Sequence, residues 1–180
     1  MTADGDIVAR GKTRPETLDD FKALAKEADD TIALKAKADG GDGAAKIDFI
    51  IRRFELLRMT RAEAKRLLAD APKPTAAQAA ALDLFFTNED VSEIMKGVKN
   101  SAKSKIAAGQ KLADLRKAGH LPEDRFRSWG YWSFQCDYAE SVADAALFEE
   151  CLKELKVRFK QESLKKNLDE LDARLKALRR

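Results

Sequence analysis

The chain has 180 residues, 44% of them hydrophobic and 36% charged, with 34 basic against 31 acidic side chains. That much apolar surface can offset chain entropy, which excludes a disordered polyelectrolyte, and a net charge of +3 falls well short of the excess expected of a dedicated nucleic-acid binder. Ala, Leu, Lys, Glu and Arg are abundant while Gly and Pro number only 9 and 4, so helix formers dominate and chain breaks are few.

Residues 1–12 are polar and read as a flexible arm, and residues 13–180 as a single all-helical domain. The apolar runs Phe49 to Ile51 and Ala79 to Leu82 are too short to span a bilayer. MTADGDIVARGK has no apolar signal core, so a cytoplasmic location and no membrane partner are expected.

Thr13 and Glu16, with Pro15 between them, form a capping-box pattern. Leu18, Phe21, Leu24, Ala25, Ala28 and Ile32 then recur at helical spacing along a first helix, which Gly40-Gly41 should end. A second helix starts near Asp42 with the stripe Ile47, Ile50, Ile51, Phe54 and Leu57, and carries Arg52, Arg53 and Arg58 away from it. Thr60 and Glu63 cap a short third helix, Ala62 to Ala71, with Leu67 and Leu68 buried and Pro72 and Pro74 ending it.

Thr75 and Gln78 start a fourth helix reaching Leu84 to Phe86, and Thr87 or Asn88 caps a fifth bearing Val91, Ile94, Met95 and Val98. A sixth runs from Ser101 to Ala118, and a seventh from Pro122 to about Val142. Asp144 caps an eighth helix, to Phe159, and the last covers roughly Glu162 to Leu178. The expected fold is all-α: about eight or nine helices in antiparallel hairpins, forming an irregular solenoid or a bundle, with an aromatic-rich hairpin over 122–159 and a C-terminal capping helix over 162–178.

Both tryptophans, both tyrosines and both cysteines lie between Ser128 and Leu155. Trp129, Trp132, Gln135, Cys136 and Ala139 share one helix face, and Phe148, Cys151, Leu152, Leu155 and Phe159 share another. Aromatic stripes at helical spacing are normally core, so the cluster reads as packing. Tyr131 and Tyr138 lie off the tryptophan face and, with Arg125 and Arg127, are candidate partner contacts.

The order Trp132, Cys136, Ala139, a turn with Asp144, then Leu152 and Leu155 resembles a degenerate tetratricopeptide-type repeat of about 30 residues. Ala143 and Phe148 stand where that family carries Gly and Ala. The chain is also loosely similar to the irregular helical regions that accompany bacterial thioredoxin-like domains, without the CxxC of their active site. The tetratricopeptide resemblance implies stacked helix pairs and a concave face that binds peptides or proteins.

Chemistry finds little footing in the pattern. His120 is the only histidine and follows Gly119 at a helix end, which suits a basic group beside the dipole better than a metal or catalytic role. The carboxylates are interleaved with Lys and Arg, as on a solvated helix surface. No Gly-rich loop follows a strand. No enzyme activity, cofactor or metal is expected. Cys136 and Cys151 are reduced, buried thiols by default, although mirrored placement about the turn makes one disulfide geometrically possible, and with accessible thiols a redox role.

The expected function is a non-catalytic scaffold or protein–protein interaction module. The competing reading is a nucleic-acid or acidic-partner surface on the basic strip Lys96, Lys99, Lys103, Lys105 and Lys111, which continues to Arg116 and Lys117 with only Asp114 opposing it. Leu164, Leu168, Leu171, Leu175 and Leu178, at steps of 4, 3, 4 and 3, form a heptad seam. That seam suits docking on the preceding hairpin and is also the sequence's homodimer candidate.

Overall fold

A computed structural model describes residue 9 and residues 15–56 and 59–180. Among the described residues there are eight α-helices and no strand: α1 Leu18–Asp39, α2 Gly43–Glu55, α3 Arg61–Ala69, α4 Ala76–Lys96, α5 Ala102–Lys117, α6 Trp129–Ser141, α7 Ala145–Arg158 and α8 Lys165–Leu178. Short 3-10 turns occupy Asp124–Phe126 and Glu162–Leu164. The all-α expectation holds. The chain falls into two compact units, Met1–Asp83 and Leu84–Arg180, with α4 contributing to each.

In the first unit α1 begins later than its sequence signal suggests. Thr13 and residues 1–8 and 10–12 lie outside the described residues, while Pro15 and Glu16 precede the helix. The operative cap is Thr17: its hydroxyl accepts from the Asp20 N–H at 3.1 Å, and the Asp20 carboxylate accepts from the Thr17 N–H at 2.9 Å. Hydrogen bonding to its carboxylate, by the Thr17 side chain first and then by the Thr17 and Glu16 N–H groups, holds the Asp20 carboxyl below its ordinary value. At the other end Gly41, with φ +93°, makes the left-handed turn into Asp42, whose carboxylate caps α2.

The core of this unit is aliphatic: Ile47, Ile50, Phe54, Leu56 and Ala64 are all at most 5% exposed. Arg52 does not point away from the packed side, as the sequence suggested. It donates to the buried Thr31 hydroxyl at 3.0 Å and to Glu55 at 2.8 Å, and it pairs with Glu27, stapling α2 to α1. Desolvation opposes its charge and these acceptors outweigh that, so the guanidinium stays protonated. In α3 the deeply buried residue is Ala64, whereas Leu67 and Leu68 are only half-buried. Leu57 and Arg58 lie outside the described residues.

Thr75 and Gln78 do form the expected capping box, with the Thr75 N–H bonded to Gln78 Oε1 at 3.0 Å. Gln78 Nε2 also donates to Asp48 Oδ1 at 2.7 Å, tying the start of α4 to α2.

The expected break at Thr87-Asn88 is absent: α4 runs straight through it. Both side chains are buried, at 3% and 4% exposed, and Asn88 Oδ1 accepts the Glu123 N–H at 2.9 Å. The cap-forming side chain binds a distant loop where the local pattern suggested a helix end. The seventh helix likewise starts later than Pro122, at Trp129, with Ser128 as its N-cap.

The second unit is built around α6, which packs against α5 on one side and α7 on the other, with α8 completing the group. Gly109 permits the first contact, because a Cβ there would stand 1.8 Å from Phe134 O and 2.5 Å from Phe134 C. The α6–α7 turn carries Ala143 at φ 55°, and Asp144 accepts the Leu147 N–H at 2.9 Å to start α7.

Helix α8 spends its seam inside the chain. Leu171 and Leu175 are 5% and 7% exposed, and Leu168 and Leu178 pack on the same core. Arg174 binds Asp137 at 2.7 Å and Glu140 at 2.6 Å on α6, and its guanidinium lies 5.5 Å from the Phe148 ring centre. The docking alternative read from the sequence is therefore the one the fold uses.

Candidate functional site

The crowded stretch Ser128 to Leu155 proves to be core. Trp132, Gln135, Cys136, Ala139, Phe148, Cys151, Leu152 and Leu155 are all at most 4% exposed. Trp132 stands at the edge of this core, with Tyr131 edge-on at 4.9 Å and the guanidinium carbons of Arg116 and Arg158 at 5.6 and 5.8 Å from its ring centre. Neither arginine is available to a ligand: Arg116 holds both oxygens of Glu150, and Arg158 holds Glu154 and Asp124.

Tyr131 is a correction to the sequence reading. It is 1% exposed, because α6 is covered on two flanks and the second one, against α5, takes the tyrosine. Burial pushes its phenol above the ordinary value. Among the described residues neither its hydroxyl nor the Trp132 Nε1 has a hydrogen-bond partner. Arg127 is spent locally, donating to Pro122 O at 2.7 Å. Arg125 is exposed but sits beside Glu123 at 2.7 Å and over the Phe126 ring. Tyr138 is half-buried at the edge of a hollow of about 500 Å³ beside Asp144 and Glu150. The four proposed contact residues thus do not converge on one surface.

The two thiols are free and fully buried. Cys136 Sγ faces Phe148 O and Cys151 Sγ faces Gln135 Oε1, each at 4.0 Å. Interaction with the neighbouring Cys151 thiol, then burial, push the Cys136 thiol far above its ordinary value, so it is a poor nucleophile. Among the described residues no group of three His, Cys, Asp or Glu side chains is placed to hold a metal, and no helix is long and apolar enough to cross a membrane.

A groove of about 710 Å³ opens between the end of α4 and α5. Half-buried Ile94, Val98 and Leu115 form its floor with the small Ala107 and Ala108, and Glu93, Lys111 and Asp114 stand around it. Small residues along α5 leave this space open, and they carry no distinct signal in the sequence pattern. Glu93, Lys111 and Asp114 make no ion pair among the described residues.

The basic strip is split by this arrangement. Lys96, Lys99 and Lys103 are exposed around the α4–α5 turn without ion pairs among the described residues. Lys105 turns toward the packed side of α5 and is half-buried, and Lys111 belongs to the groove with its acidic neighbours. No protein-family model, curated protein or solved structure matches the chain.

Proposed function

We propose that the protein is a non-catalytic interaction module, its hairpins serving as those of tetratricopeptide-like proteins do, and that the second unit receives a partner protein's helix in the α4–α5 groove. The groove itself carries this reading: an open trough about 710 Å³ in volume with an aliphatic floor. Two neighbouring helices offer a natural seat for the apolar ridge of a third. Glu93 and Asp114, against the single Lys111, favour an occupant with basic residues flanking its apolar face. The locked arginines and the buried, protonated Cys136 thiol support a binding role over chemistry.

The second reading, an acidic or nucleic-acid partner, is favoured by the exposed Lys96, Lys99 and Lys103, which make no ion pair among the described residues. The two separate in one experiment. The tagged chain, an Ala107→Glu variant and a Lys96/Lys99/Lys103→Glu variant are used for affinity capture with and without nuclease. Ala107 is exposed on α5, so the glutamate blocks the groove without entering the core. The groove reading expects a stoichiometric protein that survives nuclease and is lost only with Ala107→Glu. Material lost with nuclease and with the lysine variant overturns it in favour of the second.

A further inference from the structure

Helix α1 carries an apolar stripe that the described residues of the first unit leave uncovered. Leu18, Phe21 and Ile32 are 69%, 57% and 45% exposed. With Ala25 and Ala28 they occupy successive a and d positions: a at 18, 25 and 32, d at 21 and 28. At about 100° per residue this stripe lies roughly a quarter turn from the side that packs on α2, where Thr31 is buried and Glu27 pairs with Arg52. The contact with α2 therefore leaves a second, heptad-spaced seam facing out.

We propose that this face of α1 is a homodimer interface, with α1 of a second copy lying antiparallel along it. The residue pattern selects that partner and register. Antiparallel coiled helices pair a layers with d layers, so Ala25 of one copy faces Ala28 of the other, and Phe21 faces Ile32 on either side of this small centre. The alanines let the helices approach closely and the large residues close the ends of the contact. Leu18 then lies on the aliphatic stem of Lys35.

On the open flank the e positions are Lys22 and Asp29, and this register places Lys22 of each copy beside Asp29 of the other. The two-fold axis makes the pairing twice over. Sliding by one heptad sets Lys22 against Lys22 and drops Ile32 from the seam. A parallel pairing sets Lys22 beside Thr17 and Asp29 beside Leu24, with no opposite charges matched. An anionic membrane is a poorer occupant, since α1 carries six acidic against four basic side chains. The interface uses a surface distinct from the α4–α5 groove and stands or falls separately from the function proposed for it.

The test is sedimentation velocity on the full chain from about 1 to 300 µM, since a two-heptad contact is small and a micromolar dissociation constant is expected. A reversible dimer should form, and Phe21→Glu should weaken it at least about tenfold, with the far-ultraviolet spectrum unchanged because the residue is exposed. Lys22→Asp should weaken the dimer, and Lys22→Asp with Asp29→Lys should restore it by exchanging the two partners. A monomer at every concentration overturns the proposal, as does a dimer indifferent to Phe21→Glu or a double exchange no better than the single. Should Phe21→Glu disturb folding, the charge exchange decides alone.

Discussion

Helices α1 and α8 both carry apolar residues at heptad spacing, and they end in opposite situations. In α8 the seam residues Leu171 and Leu175 are buried on α6 and α7, whereas in α1 Phe21 and Ile32 remain about half exposed. The stripe alone does not separate them, since each reads as a short coiled-coil seam. What separates them is the polar side chain beside it. Arg174 sits at the edge of the α8 seam and reaches Asp137 and Glu140 on α6, which turns the leucines onto the hairpin. On α1 the corresponding anchors, Glu27 and Thr31, lie on a different face and are taken by Arg52, so α1 docks through them and leaves its apolar stripe outside. A heptad says that a helix has something to cover; the ion pairs beside it decide which neighbour does the covering.

The sharpest way to break this comparison is to shorten one seam residue of each kind. Leu171→Ala should cost about 2–4 kcal/mol, because it removes a well-packed side chain and leaves a cavity. Ile32→Ala, in dilute protein, should stay within about 0.5 kcal/mol of zero, because the side chain is already about half solvated and alanine's better helix propensity offsets the lost contacts. Urea unfolding of both variants at low micromolar concentration measures the contrast. Equal losses would mean that α1 is covered within the monomer and would remove the basis for its interface.

Much of the fold was legible because each helix end announces itself chemically. Thr60, Thr75, Asp42 and Asp144 cap where their spacing says they should, and Gly41 and Gly119 take left-handed φ at the expected ends. The failures share a cause: the same side chain can serve a local or a distant partner. Asn88 looked like a cap and binds the Glu123 amide instead. Tyr131 looked exposed on a helical wheel that allowed for one neighbouring helix, and α6 has two. Of the proposed contact surface, Tyr138 borders a hollow, and the α4–α5 groove leaves no mark in the apolar pattern because it arises from small residues. One signal was available: Gly109 in the middle of an otherwise strong helical pattern marks a close backbone approach.

The two units also differ in what they bury, and alkali should expose this. The second unit hides a phenol and a thiol whose ionisation is pushed up, by burial for Tyr131 and by the Cys151 contact and burial for Cys136. In the unfolded chain these groups lose protons near their ordinary values of 10.0 and 9.0, while the native protein keeps them. Above pH 9 the unfolded state therefore binds fewer protons and stability falls as pH rises, by up to about 1.4 kcal/mol per pH unit for each ionising group. Chemical denaturation from pH 7 to 10.5 should show the decline, and Cys136→Ala should flatten its first part. An unchanged slope in that variant would place the alkaline sensitivity elsewhere.

A small effect, in the stabilising direction, is expected at the α6–α7 turn. Ala143 holds φ 55°, a conformation in which its Cβ crowds the following carbonyl. The fold accepts this strain because Asp144 must sit where it caps α7 and its own N–H must reach Ala139 O, at 2.8 Å. Glycine meets the same geometry without the crowding but gives the unfolded chain more freedom, so the two terms oppose each other. The strain term is the larger, and Ala143→Gly should gain about 0.5–1 kcal/mol, or a few degrees in Tm. A loss of stability would mean that the turn relaxes its φ away from the left-handed region in solution. The α6–α7 hairpin would then be held by its core, Phe148 against Cys136 and Ala139, with little contribution from the geometry of its turn.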